Sequence, residues 1–154
     1  MSLCRLAAGL AGAWAGAAAA TGLLAAPLAF DLLPRADAGR FVARLFALDA
    51  YVGLALGLLL FMVAMQIARL AAETGQGSRF STDMLLALAA LFCVVAGHFG
   101  LQPLMQAARQ GGAVPSFAAI HGAALVFFLL KLVAAAALAW RLSGADVRAA
   151  GPTS

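Results

Sequence analysis

The chain has 154 residues, of which 65% are hydrophobic and 10% are charged, and its mean hydropathy is +1.01. Soluble domains contain about 45–50% apolar and about 25% charged residues, so this composition excludes a water-soluble fold. The net charge of +4 comes without a basic patch interleaved with aromatic residues. The chain is therefore expected to contact the lipid bilayer and no nucleic acid.

The first apolar run covers residues 6–30 and is long enough to span a membrane. The small residues 18–20 also fit a signal-peptide cleavage site, but no polar segment precedes them, so we expect a retained helix. Gly12 and Gly16 have the spacing that lets another helix approach closely. Pro27 is expected to kink or end this helix.

The second apolar run, residues 45–68, follows a charged stretch at residues 31–44. Pro34 breaks the chain there, and Asp37 is the expected N-cap of the helix that follows. Gly53 and Gly57 repeat the close-packing spacing. The pattern predicts a long second helix that is entered through an amphipathic segment at the membrane interface.

Residues 83–103 and 117–140 form two further apolar runs of membrane-spanning length. Ser81 or Thr82 is expected to cap the third helix, which would run past Pro103 toward Arg109. Residues 143–154 are small and polar and are predicted to be a flexible tail. The predicted fold is all-α: an integral membrane four-helix bundle with short loops, within residues 1–142.

Four spans place both termini on one side of the membrane. By sequence, five arginines fall on that side and four on the other, so the positive-inside rule favours cytoplasmic termini. Nine of the ten basic residues are arginine, in a chain rich in alanine and glycine. This usage is typical of bacteria, and the expected location is the bacterial inner (cytoplasmic) membrane.

Polar side chains inside the apolar runs are the candidates for function, because each is costly in hydrocarbon. Asp49, His98 and His121 each stand about four residues from the outer end of a predicted span, roughly 6 Å below one interface. The candidate ligand- or ion-binding residues are Arg40, Arg44, Asp49, His98, Arg109 and His121.

Two interpretations of these residues are open. In one, they line a pocket in which Arg44 or Arg40 is the counter-ion of Asp49. In the other, they are interhelical hydrogen bonds that hold the helix ends together. Lys131, deep in the fourth run, has no acidic residue at its predicted depth, and its role is open.

Cofactors are not expected, although two are conceivable. His98 and His121 at matched depth allow a b-type haem between helices three and four. Met62 and Met65 offer soft sulfur ligands for copper, but methionines at helical spacing more often fill a core. A homo-oligomer is possible through the small-residue faces at Gly12, Gly16, Gly53 and Gly57.

Enzyme signatures such as a Gly-x-Ser-x-Gly elbow, an HExxH motif or a phosphate-binding glycine loop are absent from the sequence. The leading hypothesis is a structural or accessory membrane component with an outer-side polar cluster. The first alternative is a subunit of a transporter or channel for a small solute or ion. The second is a haem- or copper-binding membrane protein.

A series of short matches gives the chain a family resemblance over roughly residues 5–140. The matching residues are Ala26-Pro27, Phe30, Ala38-Gly39-Arg40, Leu45-Phe46 and Tyr51, then Pro103, Arg109, Phe117 and Ile120-His121. In this order the chain resembles the transmembrane-protein-205-like family (domain of unknown function 4149). The resemblance implies a four-helix membrane protein without an assigned activity. Arg40, Arg109 and His121 match family positions, whereas His98 does not.

Overall fold

The computed structural model describes residues 3–75, 78, 80–111 and 116–149, and for residues 145–149 the backbone alone. These residues form four long helices and no strand: α1 (Leu3–Leu32), α2 (Arg35–Glu73), α3 (Thr82–Arg109) and α4 (Phe117–Ala149). Each helix is long and apolar enough to cross a membrane. The expected all-α four-helix bundle is confirmed.

The helix ends differ from the expected ones at two places. Pro34, not Asp37, precedes the first turn of α2, and Asp37 lies inside that turn. Helix α4 continues to Ala149, so residues 143–149 are helical where a tail was predicted, and residues 150–154 lie outside the described residues. Ser81 does cap α3, since its hydroxyl accepts a hydrogen bond from the backbone N–H of Met84 at 3.2 Å. Parts of the two predicted loops, residues 76–77, 79 and 112–115, also lie outside the described residues.

The helices form a ring in which α1 and α3 each pack against both α2 and α4. The buried core consists mostly of alanine, and Trp14, Leu60 and Leu138 are its largest fully buried side chains. Small side chains allow close helix approach where the hydrophobic effect gives no drive for association. Large apolar residues such as Leu32 and Trp140 face outward, as a surface in contact with lipid requires.

Two of the four glycines expected at an oligomer interface are used inside the chain. A Cβ at Gly53 would lie 3.2 Å from Trp14 Nε1, and one at Gly57 would lie 3.3 Å from Trp14 Cη2. These glycines therefore make room for the Trp14 indole between α1 and α2. Gly12 and Gly16 lie on the exposed side of α1, and an oligomer through them stays a prediction.

Helices α1 and α3 each contain a π-helical turn just before a proline. The turns are Ala20–Ala25, followed by Pro27, and Val95–Gly100, followed by Pro103. Proline lacks an N–H and its ring crowds the carbonyl four residues earlier, which lies within the π turn in both helices. Widening the preceding turn relieves this crowding. Helix α1 thus continues past Pro27 to Leu32, and neither proline ends its helix.

Helix α2 is a single helix of 39 residues, so the charged segment that leads into the apolar run belongs to it. At 1.5 Å per residue its length is about 58 Å. A hydrocarbon core of about 30 Å is much thinner than that, so α2 is longer than a membrane crossing requires. The expected long second helix is confirmed and begins earlier than the sequence indicated.

Candidate functional site

An ion pair connects the two helical hairpins, α1–α2 and α3–α4, inside the bundle. Lys131 Nζ on α4 donates a hydrogen bond to Asp49 Oδ2 on α2, 82 positions away in the sequence. The side chains are 5% and 10% exposed, respectively. A charge buried this far is stable only when it is paired, because its removal from water costs several kcal/mol.

One aromatic ring lies against the lysine, and a second ring packs on the first. The Lys131 ammonium lies over the Phe128 ring, 4.5 Å from its centroid, which adds a cation–π interaction. Phe46 of α2 packs edge-on against Phe128 with centroids 5.2 Å apart. Each phenylalanine stands one helical turn before a charged residue: Phe46 before Asp49 and Phe128 before Lys131. The two phenylalanines therefore contact each other across the hairpins, and so do the two charged side chains.

The two π turns hold the rings of α4 next to this ion pair. A Cβ at Gly22 would lie 2.6 Å from Phe128 Cε1, and a Cβ at Gly97 would lie 2.8 Å from Phe127 Cβ. A Cβ at either position would displace a phenylalanine, so each π turn presents a glycine to a phenylalanine of α4. Helices α1 and α3 therefore also pack beside the site, whose ion pair is formed by α2 and α4.

His98 lies in the π turn of α3 and contacts aromatic rings. Its ring is 6.5 Å from that of Tyr51 on α2 and 5.1 Å from that of Phe99, both edge-on. Within the described part of the chain the imidazole makes no hydrogen bond to Asp49 or Lys131, so it borders the ion pair without joining it. It can serve there as a hydrogen-bonding group.

The other candidates form separate contacts near the end of the bundle where α3 leads to α4. The Arg109 guanidinium lies 5.0 Å from the centroid of the Phe117 ring, and the His121 ring stacks on Phe117 at 5.8 Å. Arg109 and His121 are thus brought together by one aromatic ring. His121 is ten positions before Lys131 on α4, roughly 15 Å along the helix axis.

The expected counter-ions of Asp49 are elsewhere. Arg40 pairs with Asp37 within the exposed first turns of α2, and Arg44 is exposed on the same helix. Lys131 takes their place, so the view that no acidic residue lies at its depth is corrected. The predicted depth of Asp49 is counted from Leu45, where the apolar run begins, whereas the helix begins at Arg35 and carries Asp49 well inside the bundle.

The candidate metal ligands have different surroundings. His98 and His121 contact different aromatic partners, and Met62 on α2 is exposed. In the described ranges no group of three His, Cys, Asp or Glu side chains is placed to hold a metal ion. The arrangement offers a paired carboxylate and ammonium, which suit hydrogen bonding and proton exchange better than metal coordination.

The family model for "Domain of unknown function (DUF4149)" matches residues 9–114. The chain belongs to this family. The match includes Asp49 and both π turns and ends before α4, so Lys131 and His121 lie outside it. The chain matches no curated protein and no solved structure.

In this DUF4149 chain, Lys131 is the site residue that its sequence alone did not place. One signal pointed to it: α2 and α4 carry opposite charges, each one turn after a phenylalanine. When the second helix of each hairpin carries a phenylalanine followed by a charge, and the two charges are opposite, contact between those charges is worth testing.

Proposed function

We propose that the protein is a structural or accessory component of a membrane, in which Asp49 and Lys131 lock two helical hairpins together. The observation that supports this proposal is the near-complete burial of both charges in one pair that joins α2 to α4. Lys131 lies against Phe128, on which Phe46 packs, and Asp49 borders a groove that opens sideways between α1 and α2. Such a pair holds helices in one register.

The ion pair can lock the hairpins because any arrangement that separates Asp49 from Lys131 leaves a buried charge unpaired. Removing one partner of a buried pair leaves an uncompensated charge, at a cost of about 3–5 kcal/mol. Hairpins that slid or rotated past one another would separate Asp49 from Lys131 and incur a similar cost. The pair therefore selects one arrangement among the many that alanine-rich helices can adopt.

We further propose that the protein lies in a bacterial inner membrane with cytoplasmic termini and belongs to the transmembrane-protein-205-like branch of its family. The arginine-rich usage and the small excess of arginine on the terminal side support this placement. Alkaline phosphatase and green fluorescent protein fused to the C-terminus test it. Fluorescence without phosphatase activity is expected, and the reverse result contradicts the orientation.

Charge reversal of the full-length protein tests the locking role. Asp49→Lys and Lys131→Asp each bring like charges together, and we expect both to lose the monodisperse folded species in fluorescence-detected size-exclusion chromatography. The double variant D49K/K131D restores opposite charges and is expected to recover that species. If both single variants remain monodisperse with an unchanged unfolding temperature, the pair does not hold the hairpins.

A second candidate, transport of a proton or small ion, is favoured by the π turns on either side of a titratable pair. π turns are frequent at functional sites, and both lie beside Phe127 and Phe128, close to Lys131. Proton flux into proteoliposomes that contain a pH-sensitive dye separates the candidates. If the pair only locks the hairpins, the proton flux into proteoliposomes should equal that into protein-free vesicles. A faster flux that Asp49→Asn abolishes, at equal protein content, would establish transport instead.

A further inference from the structure

A groove between α1 and α2 opens sideways from the bundle, next to the ion pair. It has a volume of about 350 Å³, within the range of small-molecule sites. Helix α1 contributes the exposed small residues Ala13 and Ala17, and α2 contributes the exposed apolar residues Leu48 and Val52. In a membrane this opening faces hydrocarbon, so its occupant comes from the bilayer.

One end of the groove is polar and the other is apolar. The antiparallel helices place Thr21 of α1 and Asp49 of α2 in the wall at one end, and Leu10 and Leu56 at the other. The seven residues between Asp49 and Leu56 correspond to roughly 10 Å along α2. A molecule with a polar head and a hydrocarbon chain matches this gradient.

Two oxygen atoms at the polar end have no hydrogen-bond partner among the described residues. Lys131 donates to Asp49 Oδ2, and no described donor reaches Asp49 Oδ1. The Thr21 hydroxyl likewise makes no hydrogen bond within the described part of the chain. Polar groups without partners are costly in hydrocarbon, so a donor from the membrane would be stabilised here.

The chemistry of the wall defines the head group. A carboxylate only accepts hydrogen bonds, so the occupant must donate one. Lys131 already neutralises Asp49, so a neutral donor fits better than a second cation. Asp49 stands five positions after Arg44, roughly 7 Å further along the helix, which places a bound head below the exposed charges of α2. A small hydroxyl reaches that depth without carrying a phosphate into the hydrocarbon.

We propose that this groove binds a neutral lipid that bears a hydroxyl group. The hydroxyl donates to Asp49 Oδ1 beside Thr21, and the hydrocarbon chain lies along Ala17, Leu48 and Val52. This site goes beyond the locking role, since it uses the carboxylate oxygen that the ion pair leaves unoccupied.

Photolabelling of the full-length protein in nanodiscs tests the site. The probes are a diazirine-bearing long-chain alcohol and its methyl ether, which has the same chain and accepts but cannot donate a hydrogen bond. We expect the alcohol to label α1 and α2 peptides of the groove at least about tenfold more than the ether, as the loss of one hydrogen bond to a carboxylate implies. Equal labelling by the two probes overturns the proposal.

Substitutions that leave the ion pair intact provide the controls. Ala17→Leu fills the groove and is expected to reduce labelling by the alcohol about tenfold, whereas Thr21→Val reduces it less. Ala136→Leu places the same side chain in the separate groove between α1 and α4 and is expected to change nothing. If Ala17→Leu and Ala136→Leu have the same effect, the alcohol does not occupy this groove. The unfolding temperatures of these variants are measured in parallel, so a failure of this site is distinct from a failure of the locking role.

Discussion

The two hairpins contain similar features in the same order. In each, the first helix has a π turn followed by a proline, and the second helix has a phenylalanine one turn before a charged residue. They differ in how these features are used. One glycine in each π turn, Gly22 in α1 and Gly97 in α3, has a phenylalanine of α4 as its nearest side chain. Helix α4 is thus held from two sides, while α2 contributes Asp49 and Phe46 to it.

This difference shows where the stability of the bundle is concentrated. Lys131, Phe127 and Phe128 form one short segment of α4 that contacts all three other helices. The corresponding segment of α2 contacts α4 through the ion pair and a single ring contact. Substitutions in the two hairpins should therefore have unequal effects.

The largest effect is expected from neutralising one member of the ion pair. Lys131→Met and Asp49→Asn each leave a buried charge unpaired and should lower the free energy of unfolding by about 3–5 kcal/mol. The double variant removes both charges, so its loss of unfolding free energy should be much smaller than the sum of the losses of the two single variants. Denaturant unfolding in detergent measures all three, and additive losses would contradict a direct interaction between the side chains.

A smaller and unequal effect is expected at the π-turn glycines. At Gly97 a new Cβ would meet Phe127 Cβ, which is fixed to the backbone, so Gly97→Ala should cost about 1–3 kcal/mol. At Gly22 the new Cβ would meet Phe128 Cε1 and Cζ, at the far end of a ring that can rotate away. Gly22→Ala should therefore cost less than Gly97→Ala in the same assay.

Gly16→Ala is the matched control for these two substitutions, because a Cβ at Gly16 has no neighbour within 4 Å. Alanine is also the better helix former by about 1 kcal/mol, so this variant should be as stable as the parent chain or more stable. A Gly16→Ala loss as large as that of Gly97→Ala would mean that the clash with Phe127 is not the cause.

The smallest effect is expected from the exposed ion pair of α2. Arg40 and Asp37 are 80% and 49% exposed, so water screens their attraction and Asp37→Asn should change stability by about 0–1 kcal/mol. The same unfolding measurements show the contrast with Asp49→Asn. Equal losses for the two aspartates would indicate that burial does not distinguish the pairs.

The membrane fold could be predicted because length and hydropathy alone determine where a helix can span a bilayer. The Ser81 cap could be predicted because its side chain acts within its own turn. The π turns could not be predicted, because a proline inside a helix usually kinks or ends it. That a wider turn accommodates Pro27 and Pro103 instead is seen only in the structure, where these turns pack against Phe128 and Phe127. The partner of Lys131 depends on which faces of α2 and α4 meet, and hydropathy does not record that.

The 39 residues of α2 also relate the protein to the thickness of its membrane. Arg40 and Arg69, both exposed, are separated by roughly 44 Å along the helix, close to the 40–45 Å between the outer limits of the two headgroup layers. With α2 normal to the bilayer, the two guanidinium groups would lie in opposite headgroup layers. A thinner bilayer would force α2 to tilt, and because Asp49 is fixed to Lys131, the tilt would be transmitted to the second hairpin.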